Sequence, residues 1–280
     1  MADFWNVDWL TRSPMFAPLR DVGARLPKIG WPDTAVLDAM ADESGRRIVN
    51  ANGVRIRFVE QRGKPRRFEE RFEPSAFLRA EVPVRRFSWH DLFNALVWMT
   101  FPTAKAALNA RHYQAMAARE GPVRSREEDA LTLFDEEGMV VLSSDGELLE
   151  LLRGFRWREL FWARRPAVIE RMRFVLFGHA LYEKALRPFV GMTGKALLFL
   201  VSQRVIALQN EALRKEIDRI AGLHLWGAAN LRDGRAFSPL PVLGVPGWWP
   251  ANETEDFYRN ASYFRAGRVT RGRVTRDSEG

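Results

Sequence analysis

The stretch Trp89-His90-Asp91-Leu92-Phe93-Asn94 opens one of the most apolar runs of the chain and sets His90 four residues before Asn94. On a helix that spacing puts an imidazole and an amide on one face, with Trp98 extending the line and Asp91 pointing elsewhere. Beyond Pro102, Lys105, Asn109 and His112 follow at spacings of four and three and give a second helix its own polar face. In FGHALYEKAL, His179 starts a helix after Gly178, and Glu183 lies one turn further on. Histidine four residues before glutamate suits a metal-ligand pair, or a base with its orienting carboxylate. The acidic run DALTLFDEEG adds Asp129 and Glu136, seven apart and on one side, with Asp135 beside them.

The chain has four histidines and no cysteine, which excludes disulfides, thiol nucleophiles and thiolate zinc sites. Any divalent metal cofactor must then be held by His, Asp or Glu. The residues expected to share a site are His90, Asn94, Asn109, His112, His179 and Glu183. His90, His112 and His179 would ligate or transfer protons, Glu183 would orient or bind, and the two asparagines would position a substrate. The metal ligands in this reading are His90, His112, His179 and Glu183. A structural reading stays open beside it, in which Asp91 caps a helix and Asn94 is a hydrogen-bonded core amide. His224 in GLHLW reads as packing. Established motifs are missing: no helix has two histidines around a glutamate, and GMTGKA fails as a phosphate loop at Phe189 and Ala196.

These residues need elements to carry them. Ser88 with Asp91 has the capping-box spacing and starts a helix over about 89–99; Pro102 starts the next. Ser125 with Glu128, and Ser144 with Glu147, repeat the cap pattern. GWPDTAVLDAMA reads as an earlier helix, and RRIVNANGVRIRFVE as a β-hairpin turning at Asn52-Gly53. MVVLSS and RMRFVLFG read as strands, while ALLFLV is too short for its periodicity to decide. The expected fold is α+β: a predominantly helical single domain with a small sheet including that N-terminal hairpin. Residues 1–44 form an aromatic, Pro-rich segment packed on the core, 45–265 the main domain, and 266–280 a basic flexible tail.

The formal charge of +8 points to an anionic partner, either a small molecule or a nucleic acid. A net +3 of it lies in residues 265–280, where GRVTR occurs twice in tandem. FRWRELFWARR interleaves Arg156, Arg158, Arg164 and Arg165 with Trp157, Phe161 and Trp162, a pattern that could stack bases and hold phosphates. No run approaches the length of a membrane span, so a cytoplasmic protein that does not engage the membrane is expected. Three functions remain open: a hydrolase-like enzyme, with or without a metal, acting on an anionic substrate; a nucleic-acid-associated binding protein using the tail and the Arg/Trp helix; and a mainly structural or scaffolding role.

The segments WHDLFNALVWMTFPTAKAALNARH, DALTLFDEEG, FGHALYEKAL and LGVPGWWPANETEDFYRNASYFR, in this order, resemble a proteobacterial family known only as a domain of unknown function. The similarity spans roughly residues 45 to 265. It implies a bacterial cytoplasmic protein and brings no activity, cofactor or catalytic residue with it.

Overall fold

The computed structural model describes residues 5–43, 48–61, 63–227 and 231–267. Most of the basic tail, from residue 268 onward, lies outside them. Asp33 caps helix α1 (Thr34–Glu43), its Oδ1 accepting from the Val36 amide at 2.9 Å. The Asn52-Gly53 turn forms, with Gly53 at φ +76° and the Asn50 side chain accepting from the amides of Asn52 and Val54. Its antiparallel pairing is shorter than the sequence suggests: Val49 and Arg55 make a single bridge. The chain then runs into β1 (Arg57–Glu60), which pairs in parallel with β2 (Glu81–Val84). Parallel neighbours need a crossover, and helix α2 (Phe72–Arg79) supplies it.

Ser88 starts helix α3 (Trp89–Thr100) by accepting from the Asp91 amide at 3.2 Å. The Asp91 carboxylate does not close the expected box. It accepts instead from the amide of Arg85 at 2.7 Å and from its guanidinium at 2.7 and 2.8 Å. Pro102 opens helix α4 (Pro102–Ala117) at a position where no amide donor is needed. Helix α5 (Arg126–Glu137) has the complete box, Glu128 accepting from the Ser125 amide at 2.8 Å and Ser125 from that of Glu128 at 3.1 Å. For helix α6 (Gly146–Arg153) the cap is Asp145, one residue after the Ser144 that the spacing picks out. The Ser144 hydroxyl bonds Gln203 instead.

Strand β3 (Gly138–Ser143) is buried along its whole length and lies inside a four-stranded sheet of order β4-β3-β5-β6. Its neighbours are antiparallel β4 (Met172–Leu176) and parallel β5 (Thr193–Leu200), with β6 (Ser238–Pro241) antiparallel beyond β5. The undecided ALLFLV run is therefore strand. Helices α7 (His179–Ala185) and α8 (Asn210–Trp226) pack on α3 and α4, respectively. The fold is α+β with small sheets. Trp9 and Phe16 are buried against Phe93, and Phe16 stacks on Tyr182, so the N-terminal segment shares one apolar cluster with α3 and α7. Each such large side chain removed from water is worth about 1.5–3 kcal/mol, enough to fix how α3 and α7 meet.

Candidate functional site

The pairing of β3 with β4 brings the end of α5 against the start of α7. The Gly138 carbonyl accepts from the amides of both Phe177 and Gly178, at 2.9 and 2.8 Å. Gly178 fits there because it has no side chain: a Cβ would lie 2.4 Å from the carbonyl oxygen of Glu136. Its φ is −64°, so the close approach, not the backbone conformation, requires glycine. This junction sets His179 beside Asp135 and Glu136. Packing of α3 on α7 adds His90 from the other side.

The two imidazoles meet edge to face, with Nε2 to Nε2 at 3.0 Å. Glu136 reaches both, Oε1 at 3.8 Å from His90 Nε2 and Oε2 at 3.5 Å from His179 Nε2. His90, Glu136 and His179 each offer a ligand atom, all within 4.8 Å of one another. Each imidazole has a carboxylate on its far side. Glu183 lies 3.0 Å from His90 Nδ1, and Asp135 Oδ2 lies 3.8 Å from His179 Nδ1, a buried nitrogen that makes no hydrogen bond. Burial pushes His179 down to about 3, which keeps its ring neutral at physiological pH. Burial also lifts the Glu136 carboxyl, against the pull of His90. For Asp135, burial works upward and Lys105 overcomes it, so the carboxyl titrates below its ordinary range. Since the His179 ring is neutral, Lys105 is the charge that matters. The Lys105 ammonium is almost wholly buried and donates to Asp135 at 2.5 Å and to Asn94 at 2.9 Å.

His90, Asn94, Asp135, Glu136 and His179 line one end of a cleft of about 350 Å³ whose other end is built by α2 and α4. There His112 Nδ1 sits 3.4 Å from Glu73, and its Nε2 is 3.4 Å from the Thr132 hydroxyl. Asn109 fixes Glu73, donating to its carbonyl at 3.0 Å and to its carboxylate at 2.5 Å. Burial alone would lower His112; Glu73 more than offsets it, and the imidazole is raised above its usual value. Arg71, Arg85 and Arg124 stand along the walls.

His90, Asn94, His112 and His179, expected from sequence to converge, all line this one cleft. Asn109 and Glu183 act on lining residues from behind. His112 and Glu183 are outside the group of ligand atoms, and Glu136, not among the named ligands but on the acidic face expected to complete a His and carboxylate cluster if it met the histidine helices, is inside it. Asp129, expected to share that face, pairs with Arg124 at 3.0 Å on an exposed part of α5. Glu73 was not anticipated; a carboxylate in the first turn of a short helix carries no distinctive spacing. His224 packs edge-on against Phe199. In the Arg/Trp segment, Trp157 and Phe161 are buried, and Arg156, Arg158, Arg164 and Arg165 pair with Glu159, Glu255, Glu147 and Glu253.

Residues 56–268 match a family described as protein of unknown function, DUF3025. The chain belongs to that family. No curated protein and no solved structure matches it. Every residue of the cleft falls within the matched span. Among the described residues, no helix is long and apolar enough to cross a membrane.

Proposed function

We propose that this cleft is the active site of a hydrolase-like enzyme acting on an anionic substrate. The observation that carries the reading is the convergence of His90, His112 and His179, from three separate helices, on one hollow, each imidazole facing a carboxylate. A packing role for a single buried histidine needs one partner; three around a common space are a constellation suited to proton transfer.

At one end His112 Nδ1 lies 3.4 Å from the Glu73 carboxylate without a formed hydrogen bond, close enough for Glu73 to serve as the positioning carboxylate of a general base, and Asn109 holds Glu73 in place. A protonated His112 would equally serve as the acid for a leaving group. At the other end His90, with Glu183 on its far nitrogen, would supply a second proton donor or acceptor. The guanidinium groups of Arg71 and Arg124 on the walls favour a substrate with negative charge, although Arg124 is already engaged by Asp129 and Thr132. A volume of about 350 Å³ suits a small molecule or the end of a chain.

The test is a panel of chromogenic phosphomonoesters, phosphodiesters, carboxylic esters and anilides, assayed with the full chain. Turnover of at least one class, falling by about 100-fold or more in His112→Gln, is expected. If no class is turned over faster by the wild type than by the His90→Ala/His112→Gln double variant, the reading fails.

A further inference from the structure

We infer that His90 Nε2, His179 Nε2 and the Glu136 carboxylate form a binding site for one divalent transition-metal ion of the zinc type. The inference does not rest on the hydrolase reading, since the site could hold a metal whatever the cleft does.

The distances supply the first argument. A tetrahedral zinc ion with bonds of 2.0–2.1 Å separates its donor atoms by about 3.3 Å. The imidazole nitrogens here are 3.0 Å apart, and the two nitrogen-to-oxygen separations are 3.5 and 3.8 Å. The two oxygen contacts are made by different Glu136 oxygens, and one ligand atom from each residue lies within 4.8 Å of the others, so three donors from three elements surround one point and a rotation of the Glu136 carboxylate brings a single oxygen toward both nitrogens. The group opens on the cleft, so the fourth position is left to water or substrate, as in catalytic zinc sites and unlike closed structural ones. Two imidazoles and one carboxylate suit zinc and its transition-metal neighbours better than calcium or magnesium, which favour oxygen donors.

Proton positions supply an independent argument. The Glu183 carboxylate accepts a hydrogen bond, so the His90 proton sits on Nδ1 and the Nε2 lone pair faces the centre of the group. With His90 neutral and no cation, the 3.0 Å contact is made by His179 donating from Nε2. That tautomer leaves His179 Nδ1 as a bare acceptor facing the Asp135 carboxylate, buried and without a hydrogen bond. A cation at the centre reverses this. Both Nε2 atoms and Glu136 ligate it, the His179 proton moves to Nδ1, and closing the 3.8 Å gap lets Asp135 accept a hydrogen bond from that N–H. Every polar atom of the group is then satisfied, and each ligand imidazole acquires the carboxylate partner typical of metal-bound histidines. Lys105, itself held by Asn94, completes the arrangement by fixing Asp135. Asp135 and Glu183 are thus positioning residues, and His112, committed to Glu73, is not a ligand.

The test uses the full chain stripped with a chelator and titrated with zinc alone against a competing indicator. One equivalent should bind with Kd below about 1 µM. His179→Ala and Glu136→Gln should each weaken binding by more than about 100-fold, and Glu183→Gln by about 10- to 100-fold. His112→Gln and His224→Gln should leave it unchanged. Should His179→Ala fail to fold, the wild type still decides the matter by nitrogen NMR of the imidazoles: zinc should move the His179 proton from Nε2 to Nδ1. Absence of tight uptake, uptake indifferent to Glu136→Gln, or an unmoved His179 proton overturns the inference. Tight zinc binding by a chain that hydrolyses no panel substrate would sustain this site and remove only the hydrolase reading.

Discussion

Replacing Lys105, about 2% exposed, by methionine keeps an unbranched side chain and removes the ammonium together with its position 5.4 Å from the centroid of the Trp98 ring. Two acceptors lose their donor: Asn94 at 2.9 Å and Asp135 at 2.5 Å. Asp135 is itself buried, so its carboxylate is stranded where water cannot solvate it. Breaking a buried ion pair from one side costs about 3–5 kcal/mol, mostly the penalty of the unpaired charge. Against a total stability of about 5–15 kcal/mol, Lys105→Met should be folded but markedly weakened. Asp135→Asn, which strands the ammonium instead, should cost a similar amount. The double variant removes both charges, leaves an amide beside Asn94, and should be at least about 2 kcal/mol more stable than the sum of the single losses predicts. Urea unfolding of the four proteins at neutral pH, with chelator present to exclude metal effects, gives all the numbers needed. A loss under about 1 kcal/mol for Lys105→Met, the range of exposed pairs, would refute the argument, as would simple additivity in the double variant.

Other outcomes follow from the same geometry. Folding raises the His112 imidazole above about 6.5, so its contribution to stability is full below that value and is lost as pH rises through the folded-state value; His112→Gln should flatten the stability profile in that window. Gly178→Ala would drive a methyl group into the Glu136 backbone and should cost about 1–3 kcal/mol by urea unfolding while weakening zinc binding. Ser125→Ala removes the acceptor of the Glu128 amide at the start of α5 and should lower stability by about 1 kcal/mol with zinc affinity unchanged.

Elements specified by neighbouring residues could be read from the sequence. Ser88 and Ser125 mark the starts of α3 and α5 because a cap is a contact across three residues, and Pro102 separates α3 from α4 because of its missing amide. The hairpin reading captured the Asn52-Gly53 turn and missed where the following strand goes. β1 pairs with β2 more than twenty residues later, and nothing within RIRFVE announces that partner. ALLFLV was equally opaque: its residues are apolar whether buried, as Ala196 and Leu197 are, or exposed, as Leu200 is, so no polar residue reveals its period.

The cleft shows the same division between what lies along a helix and what lies across helices. Asp129 and Glu136 do fall on one side of α5, yet seven residues separate them by about 10 Å along the axis, and only the end nearest Gly138 reaches His179. Lys105 and His112 are likewise seven apart on α4, and that separation lets one helix serve both ends of the site, Lys105 beneath Asp135 and His112 beside Glu73. Spacing of four placed Glu183 on the side of His179; its partner is His90, because α7 packs on α3 and the nearest imidazole to Glu183 belongs to the other helix. Periodicity therefore identifies which side chains share a surface, and helix packing decides which of them meet. Gly178 links the two levels. It is locally unremarkable at φ −64°, and its missing side chain is what allows the end of α5 to come close enough for Glu136 to reach both histidines.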